Sequence, residues 1–74
     1  IELHISENEL TNCDELSLLT NLTKLDISRN NLTNCDGLSS LTNLTELDIF
    51  NNKLTTKSKN IIDDLRNREV EIIC

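Results

Sequence analysis

Three cysteines, one histidine and a scatter of carboxylates are the side chains of this sequence that have chemistry to offer. A structural zinc would ask for C-x-x-C spacing or a histidine cluster. Cys13, Cys35 and Cys74 stand far apart, and His4 is the only imidazole. With a single histidine, no pair of imidazoles can share acid–base work. There is no serine-centred nucleophile motif, and one glycine cannot build a phosphate-cradling loop. The residues therefore call for no enzyme, no cofactor and no metal.

Charge narrows the classes further. The net charge is −6 over 74 residues, with acidic side chains spread along the chain. Nucleic-acid phosphates need a basic patch, so that partner is not expected, and anionic membrane surfaces are disfavoured for the same reason. No apolar run approaches the roughly 20 residues that span a bilayer, and membrane insertion is not expected. The chain opens IELHISENEL, charged from its second residue and without an initiator methionine. That start carries no signal-peptide pattern, and it reads as a processed product or a fragment.

What positions these residues is repetition. The stretches LTNLTKLDIS (Leu19–Ser28) and LTNLTELDIF (Leu41–Phe50) differ only at Lys24/Glu46 and Ser28/Phe50. A 22-residue shift aligns Leu3, Leu25 and Leu47, then Ile5, Ile27 and Ile49, then Asn8, Asn30 and Asn52, then Leu10, Leu32 and Leu54. The wording is L-x-x-L-x-L-x-x-N-x-L. Two apolar residues spaced two apart point to one face of an extended strand. The asparagine follows where the chain turns away, and its amide can serve backbone groups the turn leaves unpaired. Leu38 and Leu41, three apart, suit a short 3-10 turn on the return path, with Gly37 interrupting anything longer. No coil can bury its apolar edge alone, so the coils must stack.

The same shift places Cys13 beside Cys35 on successive coils. At roughly 5 Å between Cα atoms a disulfide is geometrically open, but stacked parallel side chains need not aim at each other, and both read as small core apolar groups. Cys74 is the odd one, a candidate reactive thiol or intermolecular bridge. Unpaired cysteines favour a reducing compartment. His4 falls in register with Asp26 and Asp48, and through the terminal segment with Glu71. A cation site there is disfavoured, because oxygen-rich sites converge from turns and not from a flat sheet. Three N-x-T sequons, at Asn21, Asn31 and Asn43, arise from the repeat's own wording.

After Leu54 the register breaks. Ile61, Ile62 and Leu65 make a helical stripe behind Thr55 and Thr56, predicting a helix over about 57–66 and a last strand over about 69–73. Val70 and Ile72 would take the places of Leu47 and Ile49. Residues 1–54 are thus repeats, the first incomplete, and 55–74 a cap.

The repeat wording resembles the leucine-rich repeat family, and its 22-residue period is similar to the short-repeat, internalin-like branch. The resemblance implies an α/β fold: a right-handed solenoid with a parallel concave β-sheet, short 3-10 or irregular convex turns and a C-terminal capping helix. It implies a protein partner docking on the concave strand face, and a bacterial surface or secreted setting as the alternative to a reducing one. The residues flanking the inward Leu and Ile, Ser28 among them, should point outward onto that face, where Lys24, Asp26, Arg29, Asp48 and Phe50 are the expected contacts. Phe50, the only aromatic, is expected either as an exposed anchor or packed under Ile73. The second expectation for function is a purely structural end of a longer receptor, effector or enzyme. The bare edge before Leu3 could also self-associate.

Overall fold

The first leucine of each L-x-L triplet centres one short strand in the computed structural model, which describes all residues from Ile1 to Cys74. The strands are β1 (Glu2–His4), β2 (Lys24–Asp26), β3 (Glu46–Asp48) and β4 (Glu71–Ile73), parallel and adjacent in chain order. Leu3, Leu25, Leu47 and Ile72 stand side by side. Parallel strands need a crossover, and here short 3-10 turns at Glu15–Leu18 and Asp36–Ser40 supply it on the opposite side. No helix of the chain is long and apolar enough to cross a membrane.

The bend after each strand is held by the aligned asparagines. Asn30 donates through Nδ2 to the carbonyls of Ile27 and Ser28 in its own coil and of Ile5 in the coil before. Its Oδ1 accepts the amide hydrogen of Leu10 at 3.2 Å. Asn52 repeats the pattern on Ile27, Ile49 and Leu32. Just ahead of each asparagine, Glu7, Arg29 and Asn51 adopt positive φ (60°, 56° and 61°), the left-handed conformation that turns the chain out of the strand.

The core runs through the second and third coils, where Ile27, Leu32, Leu38, Leu41 and Leu47 are almost wholly buried. Cys13 and Cys35 are buried among them, both free. Gly37 is required by this stacking: a Cβ there would lie 2.5 Å from the Cys13 carbonyl oxygen of the preceding coil. In the first coil Leu3, Ile5, Leu10 and Leu16 are only partly buried, because β1 is an edge.

The terminal helix α1 (Thr56–Asn67) closes the other end with Ile62 and Leu65. Thr55 Oγ1 accepts the Ser58 amide hydrogen at its start. At its end the Glu69 and Val70 amides donate to the carbonyls of Arg66 and Leu65, with Glu69 at φ 68°. That is a Schellman ending built without glycine. One sequence expectation is corrected here. Ile72, not Val70, stands beside Leu47, and Ile73 stands beside Asp48. The helical return takes up more chain than a 3-10 return, so β4 enters later than the repeat period would place it.

Candidate functional site

The outward positions of the strands form two columns. Glu2, Lys24, Glu46 and Glu71 make one, and His4, Asp26, Asp48 and Ile73 the other. Glu71 therefore does not join the His4 column as the sequence register suggested; the late entry of β4 moves it across. Lys24 Nζ lies between two carboxylates, 3.6 Å from Glu2 and 3.8 Å from Glu46. His4 approaches Glu2 at 3.4 Å and Asp26 at 3.9 Å. The His4 and Lys24 contacts hold the Glu2 carboxyl below its ordinary range.

Asp26 and Asp48 each turn one oxygen back onto the chain. Asp26 Oδ1 accepts from both the amide and the hydroxyl of Ser28, at 3.1 and 2.7 Å. Asp48 Oδ1 accepts the Phe50 amide hydrogen at 3.0 Å. Burial pushes the Asp26 carboxyl up, but the two Ser28 hydrogen bonds and His4 outweigh it and hold it below its ordinary value. This local bonding overturns one expectation, since Ser28 is not an open surface side chain. It is only 7% exposed, its hydroxyl folded onto Asp26.

Of the five expected contact residues, Lys24, Asp26 and Asp48 line one shallow depression of about 120 Å³, with His4, Glu46 and Ile73 around it. Arg29 and Phe50 lie past the strand ends. They are joined through the backbone, the Arg29 amide donating to the Phe50 carbonyl at 2.8 Å. Arg29 also pairs with Glu7 at 3.4 Å across the coil boundary. The Phe50 side chain is 48% exposed. β4 pairs with β3 up to Asp48, which stands beside Ile73.

A family model described as leucine-rich repeats, in two copies, matches residues 20–68. The chain belongs to the leucine-rich repeat family. Comparison with curated proteins and with solved structures gives no match. Leucine-rich repeat domains generally mediate protein–protein interaction and are typically non-enzymatic.

The thiols of this leucine-rich repeat chain are placed accordingly. Cys13 donates weakly to the Asn34 carbonyl at 3.6 Å. The adjacent Cys35 and burial push the Cys13 thiol far up, which keeps it protonated and inert. Cys74 is exposed, with the Arg66 guanidinium donating to its sulfur at 3.1 Å.

Two features escaped the residue patterns. Asp26–Ser28 carried a signal, because an aspartate two residues before an amide is a frequent self-bonding arrangement. The left-handed Glu7 and Arg29 carried none, being residue types that seldom adopt that conformation.

Proposed function

We propose that this chain is a protein-binding module that engages its partner on the strand face, with Lys24, Asp26, Arg29, Asp48 and Phe50 as contacts. The observation that carries the reading is the half-exposed Phe50, two residues beyond a charged depression that Lys24, Asp26 and Asp48 share. An exposed aromatic beside charged side chains, here Arg29 and Asp48, is the composition of an interface anchor. Both cations nearby, Lys24 and Arg29, are already matched by Glu2, Glu46 and Glu7. Asp48 and Glu71 are not, so the partner's complementary segment carries Lys or Arg. Charge then steers the encounter and the aromatic supplies residence time. The reading involves no reaction.

The test uses a partner captured with the chain as bait. Phe50→Ala and Arg29→Glu should each weaken it about tenfold, as anchor truncations do, while Lys59→Ala on the helix leaves binding unchanged. Undiminished affinity in both strand-face variants would remove the reading.

A further inference from the structure

Cys13 and Cys35 are the buried groups that the strand-face reading leaves without a task. Both are free and wholly buried, one repeat apart. Around them the coils are locked in register. The Thr33 amide and hydroxyl donate to the Thr11 carbonyl at 3.1 and 3.3 Å. The Leu16 and Leu38 amides close the same turn on the Cys13 and Cys35 carbonyls, at 3.1 and 2.9 Å. Gly37 lets the two backbones close there, since a Cβ would lie 2.5 Å from the Cys13 carbonyl oxygen. Chains stacked in this register set equivalent Cα atoms about 5 Å apart, inside the range of about 4.4–6.8 Å that a disulfide spans. Nor are the side chains merely stacked. The Cys13 sulfur crosses the coil boundary and donates at 3.6 Å to the carbonyl of Asn34, the residue before Cys35. Each thiol is also the first influence on the other's acidity, Cys13 being pushed up and Cys35 held down.

We infer that Cys13 and Cys35 are a redox pair that closes to a disulfide inside the core, with a low-molecular-weight disulfide such as oxidised glutathione as the oxidant. One thiolate of the pair attacks a sulfur of the oxidant. That S–S bond breaks, and one glutathione leaves as its thiol, carrying the proton the cysteine gave up. The second cysteine, deprotonated in turn, attacks the mixed disulfide at the protein sulfur. The cysteine–glutathione bond breaks and the second glutathione leaves with the second proton. One Cys13–Cys35 bond has formed, the two cysteines are oxidised, and the oxidant has been reduced to two thiols.

The fold selects this product by volume. Neither cysteine has any opening to solvent, so exchange proceeds while the coils are apart, and a core that closes again cannot house glutathione on either sulfur. It can house the disulfide, which adds no atom and sheds two hydrogens. Cys74 competes poorly, because it stands exposed beside Arg66 and would have to enter a filled core to pair with either. The cross-link closes one repeat period of chain and so removes loop entropy from the unfolded state. The oxidised chain keeps the fold of the reduced one and holds it more firmly.

The test is refolding of the 74-residue chain from urea in excess oxidised glutathione, followed by tryptic mapping without reductant. The expected map joins Ile1–Lys24 to Asn30–Lys53, with any glutathione confined to Cys74. The oxidised chain should keep the circular dichroism of the reduced one. Its folding equilibrium constant from urea titration should be about a hundredfold higher, a gain that dithiothreitol removes. Cys35→Ala, compared with itself before and after dithiothreitol, should show no such gain, and Cys74→Ser should show all of it. A folded chain that keeps both buried thiols free in excess oxidised glutathione overturns the inference. So does glutathione held on Cys13 or Cys35, a preferred link to Cys74, or a Cys13–Cys35 link that lowers stability.

Discussion

The Ser58 hydroxyl, carried on α1, accepts the amide hydrogen of Cys35 at 3.1 Å and donates to the Thr33 carbonyl at 3.2 Å. Ser58 is wholly buried, so one side chain of the cap satisfies backbone groups that another coil would otherwise have to meet. Ser58→Ala leaves the Cys35 amide without a partner in a dry site. A loss of about 1–3 kcal/mol in urea unfolding is expected. A loss within a few tenths would mean that water takes over the role.

The asparagine ladder should be graded. Asn30 is buried and holds groups in two coils, whereas Asn8 is exposed and bonds only the Ile5 and Ser6 carbonyls of its own coil. Asn30→Ala should cost about 4 kcal/mol, at roughly 1 kcal/mol for each of its four bonds, and Asn8→Ala about 1 kcal/mol or less, because water competes for its two exposed ones. Equal costs would refute the bridging role. A chain of this size has little more than about 4–11 kcal/mol in total, so Asn30→Ala should bring it close to unfolding.

Gly37→Ala tests the stacking distance. With the added carbon 2.5 Å from a backbone oxygen, the first two coils must separate. Overpacking of that kind costs about 1–3 kcal/mol, and the thermal midpoint should fall accordingly. The equivalent Glu15→Ala, on the open side, should leave the midpoint unchanged.

Glu69 ends α1 at φ 68°, where glycine is the preferred residue. Glu69→Gly should stabilise by about 1 kcal/mol, since an L side chain in that conformation costs about 1–2 kcal/mol. A decrease in stability would show that the Glu69 side chain holds something the geometry does not reveal.

Asp26 sets an acid dependence. Its carboxyl is held below its ordinary value of 3.8 in the folded chain. Its contribution is therefore fully present above pH 3.8 and is lost as pH falls through the lower, folded value. Asp26→Asn keeps an acceptor for the Ser28 amide but cannot titrate. Its urea midpoint should decline less steeply than the wild type's below pH 3.8, and parallel acid limbs would contradict the assignment.

How legible all this was from sequence depends on how far each feature reaches. Leu3, Leu25 and Leu47 announce the sheet because a strict period leaves few other ways to bury them. The asparagines announce the bends for the same reason. Ser28 misled because its outward register position says nothing about the Asp26 oxygen two residues away, which draws it in. Ile72 was misplaced because the length of a helical return is set by how α1 packs on the last coil, and a period counted in earlier coils cannot supply it. The five proposed contacts rest on outward register and side-chain type. That criterion separates outward from inward but cannot tell Lys24, Asp26 and Asp48, which share a depression, from Arg29 and Phe50, which do not.

Because Asn30 fastens Ile5, Leu10 and Ile27 at once, no coil owns its own corner. An inserted residue is therefore felt according to where it falls. Between a strand and its asparagine it moves the amide off the carbonyls of both coils and leaves that corner with the wrong tenant. In the return path it is taken up locally, as the helical return before β4 already does with a longer stretch of chain. The ladder thus acts as a spacing rule on how such a gene can grow, strict at the corners and lenient behind them.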